Sequence, residues 1–199
     1  MIAILLLAAG ASRRMQGRDK LMESVDNMPL LRRQALRACA IGAPVIVTLP
    51  PEPHPRYDAL KDLPLTIVPV PNVNDGMNAS ISAGLKALPD GTQAVMIMLS
   101  DMPDITEFDI KKVIQNIDLK SEILIWRATT TDGSAGHPIV FHAQLIPDLM
   151  ALSGDHGGRE VVRANISRTK LIPLPDDHAR TDLDTPEAWA TWRAGRGTI

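Results

Sequence analysis

Four cations fall within eight residues just behind a glycine: Arg13, Arg14, Arg18 and Lys20 follow Gly10. Their natural chemistry is phosphate binding. A guanidinium grips a phosphate through two parallel hydrogen bonds, and an ammonium adds a point charge. The surrounding Ala8, Ala9, Ala11 and Ser12 are small, so backbone there can approach a ligand closely and cradle its oxygens with N–H groups. The segment is not a dinucleotide fingerprint: GxGxxG is absent, and no acidic residue follows a second strand near position 30. It is not a Walker loop either, because Leu21 follows Lys20 where Ser or Thr is required.

Carboxylates supply the complementary chemistry. Asp101 lies in Leu99-Ser100-Asp101-Met102-Pro103, directly after an apolar run. A hard carboxylate at a strand end can hold Mg²⁺, which takes few protein ligands when phosphate supplies the rest. Asp182 and Asp184 flank Leu183, and alternate side chains of an extended segment face the same way. Both can therefore face a cation, or Asp184 can cap the helix opened by Thr185-Pro186. A zinc centre is poorly supplied, since His137 and His142 lack convincing third and fourth ligands. His54 and His178 sit in Pro- and Asp-rich loops with no catalytic pattern, and His142 reads as a helix start. His156 is open between an acceptor pocket and a plain loop position. Cys39 is the single cysteine, so no disulfide forms within the chain; it reads as a small buried hydrophobe.

These residues need a scaffold. Runs that are apolar on both faces (2–7, 44–49, 65–70 and 94–99) predict parallel strands covered by helices on both sides. Helical patterns lie between them at 30–40, 55–63, 79–88 and 105–117, the last with Thr106 as N-cap. Farther on, strands are expected at 122–128, 138–141 and 170–174, and helices at 143–152 and 157–165. Residues 129–136 have no apolar anchor and read as a loop at the mouth of the sheet. Trp189 and Trp192 share one face of a last short helix. The expectation is an α/β, single-domain Rossmann-like fold over 1–199, three layers around a mostly parallel sheet.

Composition excludes other classes. The chain has 199 residues, 45% of them hydrophobic, and a net charge of −2, so a strongly basic nucleic-acid binder is not expected. Three Trp, one Tyr and two Phe leave few rings for base stacking. The first apolar run is too short for a membrane span and lacks the basic start of a secretion signal. A cytoplasmic location is the expectation.

The segment LLAAGASRRMQGRDKL, at 6–21, resembles the signature of MobA-like nucleotidyltransferases of the nucleotide-diphospho-sugar transferase type. The resemblance continues in order through Asp75-Gly76-Met77 to Ser80, Leu99 to Pro103, Gly136-His137-Pro138, Leu152 to Arg159, and Asp182 to Glu187. Ala8-Ala9-Gly10 is similar to the molybdenum cofactor cytidylyltransferase branch rather than the guanylyl branch. That resemblance implies transfer of CMP from CTP to molybdopterin with release of pyrophosphate. It places Leu7, Ala8, Ala9, Gly10, Ser12, Arg14, Lys20 and Ser80 at the nucleotide, with Arg14, Lys20 and Asp101 catalytic. It assigns Mg²⁺ to Asp101 with Asp182 or Asp184, and the acceptor side to His137, Asp155 and Arg159. Implied partners are the small substrates and, transiently, a recipient molybdoenzyme or its chaperone, with no nucleic acid or membrane. Gln16 stands between Met15 and Gly17 where the family often has Met-Gly, which bears on Arg18 and not on Arg14 or Lys20. Three other readings remain: a GTP-dependent guanylyl branch, a sugar-phosphate or phosphorylated-alcohol acceptor, and a nucleotide-binding protein without catalysis.

Overall fold

The apolar run at the start forms β1 (Ile2–Leu7), and its two neighbours are β4 (Val45–Leu49) and β6 (Ala94–Leu99). All three have nearly continuous burial, as expected for strands covered on both faces. The computed structural model describes residues 1–72, 76–152, 154 and 157–196. Its main sheet has the order β5-β4-β1-β6-β8-β7-β9, where β5 is Thr66–Pro69, β7 Ile125–Thr129, β8 Ala135–His142 and β9 Thr169–Pro173. β5, β4, β1 and β6 are parallel; β8 runs against both β6 and β7, and β9 is parallel to β7. The sheet is thus mixed and mostly parallel, in the Rossmann-like α/β class.

Strand alternation sorts the core into two layers. One face buries Ile4, Leu6, Val47, Met96, Trp126 and Val140 against α1 (Leu30–Cys39) and α4 (Glu107–Gln115). The other buries Leu5, Ile97, Ile125, Ile139 and Phe141 against α3 (Met77–Lys86), α5 (Ile146–Ala151) and α6 (Arg159–Ala164). Gly84 lets α3 lie tight on β1: a Cβ there would stand 2.2 Å from Leu5 Cδ1. α2 (Pro55–Leu60) follows β4, with His54 as its N-cap accepting from the Arg56 N–H. α4 starts with a capping box in which Thr106 and Asp109 satisfy each other's backbone N–H groups.

A third, smaller cluster joins Met15, Val25, Leu30, Leu183 and Trp189. It lies under a two-stranded ribbon, β2 (Ser24–Val25) with β3 (Met28–Pro29), and α7 (Pro186–Arg196). Trp189 and Trp192 meet edge to face at 5.8 Å, so the expected shared face is real and packs the last helix.

Some boundaries differ from expectation. The supposed loop at 129–136 is a tight hairpin: Thr129 pairs with Ala135, and β8 begins there. The Thr130 hydroxyl accepts from Ser134 N at 3.0 Å, and Gly133 supplies φ +87°, so turn chemistry replaces an apolar anchor. The helix expected at 143–152 is a 3-10 turn, Ala143–Leu145, running into α5. Cys39 is half-buried, not fully enclosed. Among the described residues no helix is long and apolar enough to cross a membrane.

Candidate nucleotide site

The carboxyl ends of β1 and β6 lie side by side, with Leu7 paired to Leu99. The Ser100 hydroxyl donates to Leu7 O at 2.6 Å and pins the two strand ends together. Beyond them opens a cleft of about 980 Å³. Every residue expected at the nucleotide lines it: Leu7, Ala8, Ala9, Gly10, Ser12, Arg14, Lys20 and Ser80. Asp101 and Asp184 line it too, as do Gly76, Asn78 and Ser82 around the start of α3. Gly10 has no strained φ, and a Cβ added to it would meet nothing within 4 Å. The fold therefore does not require glycine there, and its bare backbone leaves the cleft wall open to close approach.

The loop after β1 is shaped from beneath by a buried arginine that composition and spacing did not reveal. Arg56, 1% exposed, reaches from α2 into the loop. It donates to Ala8 O at 2.6 Å, to both Asp19 oxygens at 2.8 and 2.6 Å, and to Ser12 Oγ at 3.3 Å. Ser12 Oγ also donates to Asp19 and accepts from Lys20 N, each at 3.2 Å. Its hydroxyl thus braces the loop rather than standing free for phosphate, and it holds Ser12 in a left-handed backbone state, φ +51°. Burial pushes the Asp19 carboxyl up, but Arg56, Leu21 N–H and Ser12 outweigh it and hold Asp19 below its ordinary value. Gln16 at φ +53° and Gly17 at φ +85° complete the loop, and Met15 anchors it in the third cluster. Arg18 turns to Glu23 at 3.2 Å.

Lys20 is the hub of the charged floor. Its Nζ bonds Asp101 Oδ2 and, at 2.6 Å, Asp184 Oδ1, while Arg14 bonds the other oxygen of Asp184. Burial opposes the Lys20 charge, yet Asp101 and Asp184 prevail and raise its pKa. Asp182 and Asp184 are brought here by Leu183, whose side chain enters the third cluster and whose N–H donates to Asp101 O at 3.1 Å. Asp184 lines the cleft, whereas Asp182 is not among the cleft residues and meets it through its hydrogen bond with Asp184. Burial, the hydrogen bond with Asp184 and the charges of Asp184 and Asp101 lift Asp182 to about 6. Asp184, despite burial, is held below its ordinary value by Lys20, Asp182 and Arg14.

The loop carrying Asp101 is held from behind by α1, another arrangement hidden from sequence. Gln34 donates to Met102 O, Arg33 to Pro103 O at 2.7 Å, and Arg37 to Pro103 O at 2.8 Å and Ile105 O at 2.5 Å. Trp192 Nε1 donates to Asp104 at 2.9 Å from the other side.

The metal expectation meets only part of its geometry. Among the described residues no group of three or more His, Cys, Asp or Glu side chains is disposed to hold a metal ion. Asp101 and Asp184 converge, but around the Lys20 ammonium. One feature does suit a cation: Asp101 Oδ1 is buried without a hydrogen-bond partner.

The residues expected on the acceptor side lie elsewhere. His137 is the third residue of β8, and Arg159 starts α6; neither lines the cleft. Burial and the Arg127 and Arg159 charges depress His137 to about 4, against Asp101 and a backbone hydrogen bond to Ile97, so it is neutral near pH 7. Asp155, with Asp75, Ser153 and His156, lies outside the described residues. His178, with no catalytic role expected, bonds Asp109 at 2.9 Å.

Solved structures share this architecture. A homologue of Rv0371c from Mycobacterium sp. strain JC1 superposes with a TM-score of 0.81 at 24% identity, covering 98% of this chain and 96% of that one. A manganese complex of Rv0371c from Mycobacterium tuberculosis H37Rv gives 0.77 at 20% identity, covering 100% and 99%. A 4-diphosphocytidyl-2C-methyl-D-erythritol synthase from Anaerococcus prevotii DSM 20548 gives 0.75 at 14% identity, covering 98% of each chain. At these identities the likeness shows the fold. A search of curated proteins finds no match. The family model for the MobA-like NTP transferase domain matches residues 4–170. With the glycine-containing loop after β1, the Asp101 strand end and most of the sheet inside that span, the chain belongs to the MobA-like NTP transferases and is a nucleotidyltransferase.

Proposed function

We propose that residues 1–199 act as one domain that transfers CMP from CTP to molybdopterin, releasing pyrophosphate and giving molybdopterin cytosine dinucleotide. The observation that carries the transfer chemistry is the Lys20 ammonium, bonded to Asp101 and Asp184 on the floor of a cleft walled by the β1 loop. The choice of CTP and of this acceptor rests on the sequence resemblance.

An oxygen of the acceptor phosphate attacks the α-phosphorus of the nucleotide. The new O–P bond forms as the bond to pyrophosphate breaks, and its electron pair leaves with pyrophosphate. A phosphate oxygen is already anionic, so no strong base is needed. Catalysis is then positioning plus charge stabilisation. Backbone N–H groups at Ala9 to Ala11 approach the phosphates, helped by the missing Cβ at Gly10. Arg14 and Lys20 hold the charge that grows on the leaving group. Asp101, with Asp182 or Asp184, offers hard oxygen donors suited to Mg²⁺, and the orphaned Asp101 Oδ1 fits that use. Bound there, the ion would neutralise phosphate charge. The manganese complex of the mycobacterial relative supports a divalent ion in this fold. A recipient molybdoenzyme or its chaperone would take the product.

Binding of CTP, GTP, ATP and UTP with Mg²⁺, compared between the native chain and Asp101→Asn, tests this. Preference for CTP that weakens in the variant is the expected result. Preference for GTP moves the chain to a guanylyl branch, and absence of Mg²⁺-dependent binding overturns the nucleotide assignment.

A further inference from the structure

Asp101 and Asp184 carry two roles that use the same atoms. They are the oxygen donors offered to a divalent ion, and they are the partners of the chain's own cations. Lys20 Nζ lies between them, bonded to Asp101 Oδ2 and, at 2.6 Å, to Asp184 Oδ1. Arg14 takes the second oxygen of Asp184. Three of these four carboxylate oxygens thus accept N–H groups, and the fourth, Asp101 Oδ1, is buried without a hydrogen-bond partner. A hard ion such as Mg²⁺ needs such oxygens at about 2.0–2.1 Å. An ammonium and an ion cannot both hold the facing oxygens of Asp101 and Asp184.

Charge balance points the same way. Asp101 and Asp184 carry two negative charges, and Lys20 and Arg14 carry two positive ones. The group is neutral as a whole and gives a dication little to gain by entering. The two cations are held unequally. The Arg14 side chain is 68% exposed, so its pair is weak; that of Lys20 is 13% exposed and reaches both carboxylates. Lys20 is therefore the competitor that matters. Its backbone is fixed, because Lys20 N donates to Ser12 Oγ at 3.2 Å and Arg56 braces Ser12 from beneath. Its ammonium sits on a flexible four-carbon stem and can pivot about that fixed point. Lys20 lines the same cleft as the β1 loop from Ala8 to Arg14, so the pivoting ammonium serves that cleft.

We propose that Lys20 is a place-holder for the divalent ion: its ammonium competes with the ion for Asp101 and Asp184, and a triphosphate in the cleft relieves the competition by taking the ammonium as its own partner. The inference rests on the reading of the cleft as a site for a nucleoside triphosphate with a divalent ion, and it says how the two are coupled. Lys20 yields the carboxylates and takes phosphate oxygens in their place. Neither Asp101 nor Asp184 is left bare at either stage, which matters because an unpaired, partly buried carboxylate is costly. A ligand that moves Lys20 in this way tightens the ion, and by linkage the ion tightens the ligand by the same factor. One lysine thus delays full loading until substrate is present, then adds its charge to that substrate.

Mn²⁺ is the probe. Its free concentration is read by electron paramagnetic resonance over the native chain, Lys20→Met, Asp101→Asn and the double variant, with no nucleotide added and folding verified by thermal melting. Removing the ammonium should tighten Mn²⁺ at least about tenfold, and adding Asp101→Asn should erase that gain, which assigns it to these carboxylates. A lysine that only binds phosphate leaves Mn²⁺ affinity unchanged; that result, or weaker binding in Lys20→Met, overturns the proposal. Native crystals give a readout that needs no variant. Grown with Mn²⁺ alone, they should show Lys20 on the carboxylates; with CTP added, they should show manganese between Asp101 and Asp184 and Lys20 on phosphate. Manganese between the carboxylates, with Lys20 displaced, before CTP is added overturns the proposal as well. CTP that fails to bind while Lys20→Met still gains Mn²⁺ removes the nucleotide assignment and leaves the competition standing.

Discussion

The two halves of the reactive edge are held in different ways. On the nucleotide half, nearly every charge is spoken for: Arg56 with Asp19, Lys20 with Asp101 and Asp184, and Arg14 with Asp184. On the β8 half, backbone hydrogen bonds and one tight glycine set the frame: His137 N–H donates to Ala179 O at 2.8 Å, and a Cβ on Gly136 would lie 1.9 Å from that oxygen. A loop that must present N–H groups in a fixed curve gains from internal bracing. Bracing is thus concentrated in the loop after β1, the loop that the proposed function sets against a polyphosphate.

Removing a brace should hurt one half alone. Arg56→Met deletes a buried guanidinium and strands Asp19, which should cost about 4 kcal/mol of stability and weaken CTP. Urea unfolding measures the first and calorimetry the second; unchanged stability would break the contrast. Asp101→Asn should fold normally yet lose about 100-fold in turnover. Near-normal turnover at limiting Mg²⁺ would remove Asp101 from the metal.

The β8 half should show itself in the pH dependence of stability. His137 is depressed from 6.5 to about 4 in the folded chain, so the unfolded chain takes up its proton first. Its stabilising share is whole above pH 6.5, declines as pH falls toward 4, and is gone below. After discounting for the exposed part of the ring, the loss is about 2 kcal/mol, and His137→Asn should abolish it. Comparing unfolding free energies at pH 7 and pH 4.5 checks this. The smallest effect belongs to Gly10→Ala: no change in melting temperature, because the added methyl meets only open space, but about tenfold weaker CTP. A lower melting temperature with unchanged affinity would reverse the reading of that glycine.

Much of the nucleotide half was legible because its signal is local. Small residues, glycine and cations stand within one stretch after an apolar run, and Asp-Leu-Asp carries its own alternation. Arg56 was not legible. Its partners Ala8, Ser12 and Asp19 lie 48, 44 and 37 residues away, and an arginine beside prolines reads as solvated. The same holds for Gln34, Arg33 and Arg37, which meet the Asp101 loop only through tertiary packing. The β7–β8 hairpin was misread for another reason. Its turn is held by Thr130, Asp132 and Gly133 rather than apolar side chains, and Asp-Gly between two extended runs was the available sign.

The reversal of β8 carries an evolutionary implication. A strand laid backwards brings a hairpin turn, not a helix crossover, to the working edge. Hairpin turns tolerate insertion and replacement far better than the packed crossovers on the other side. Descendants of such a scaffold can therefore change what this edge presents by rewriting a few turn residues, while inheriting the braced loop after β1 unaltered.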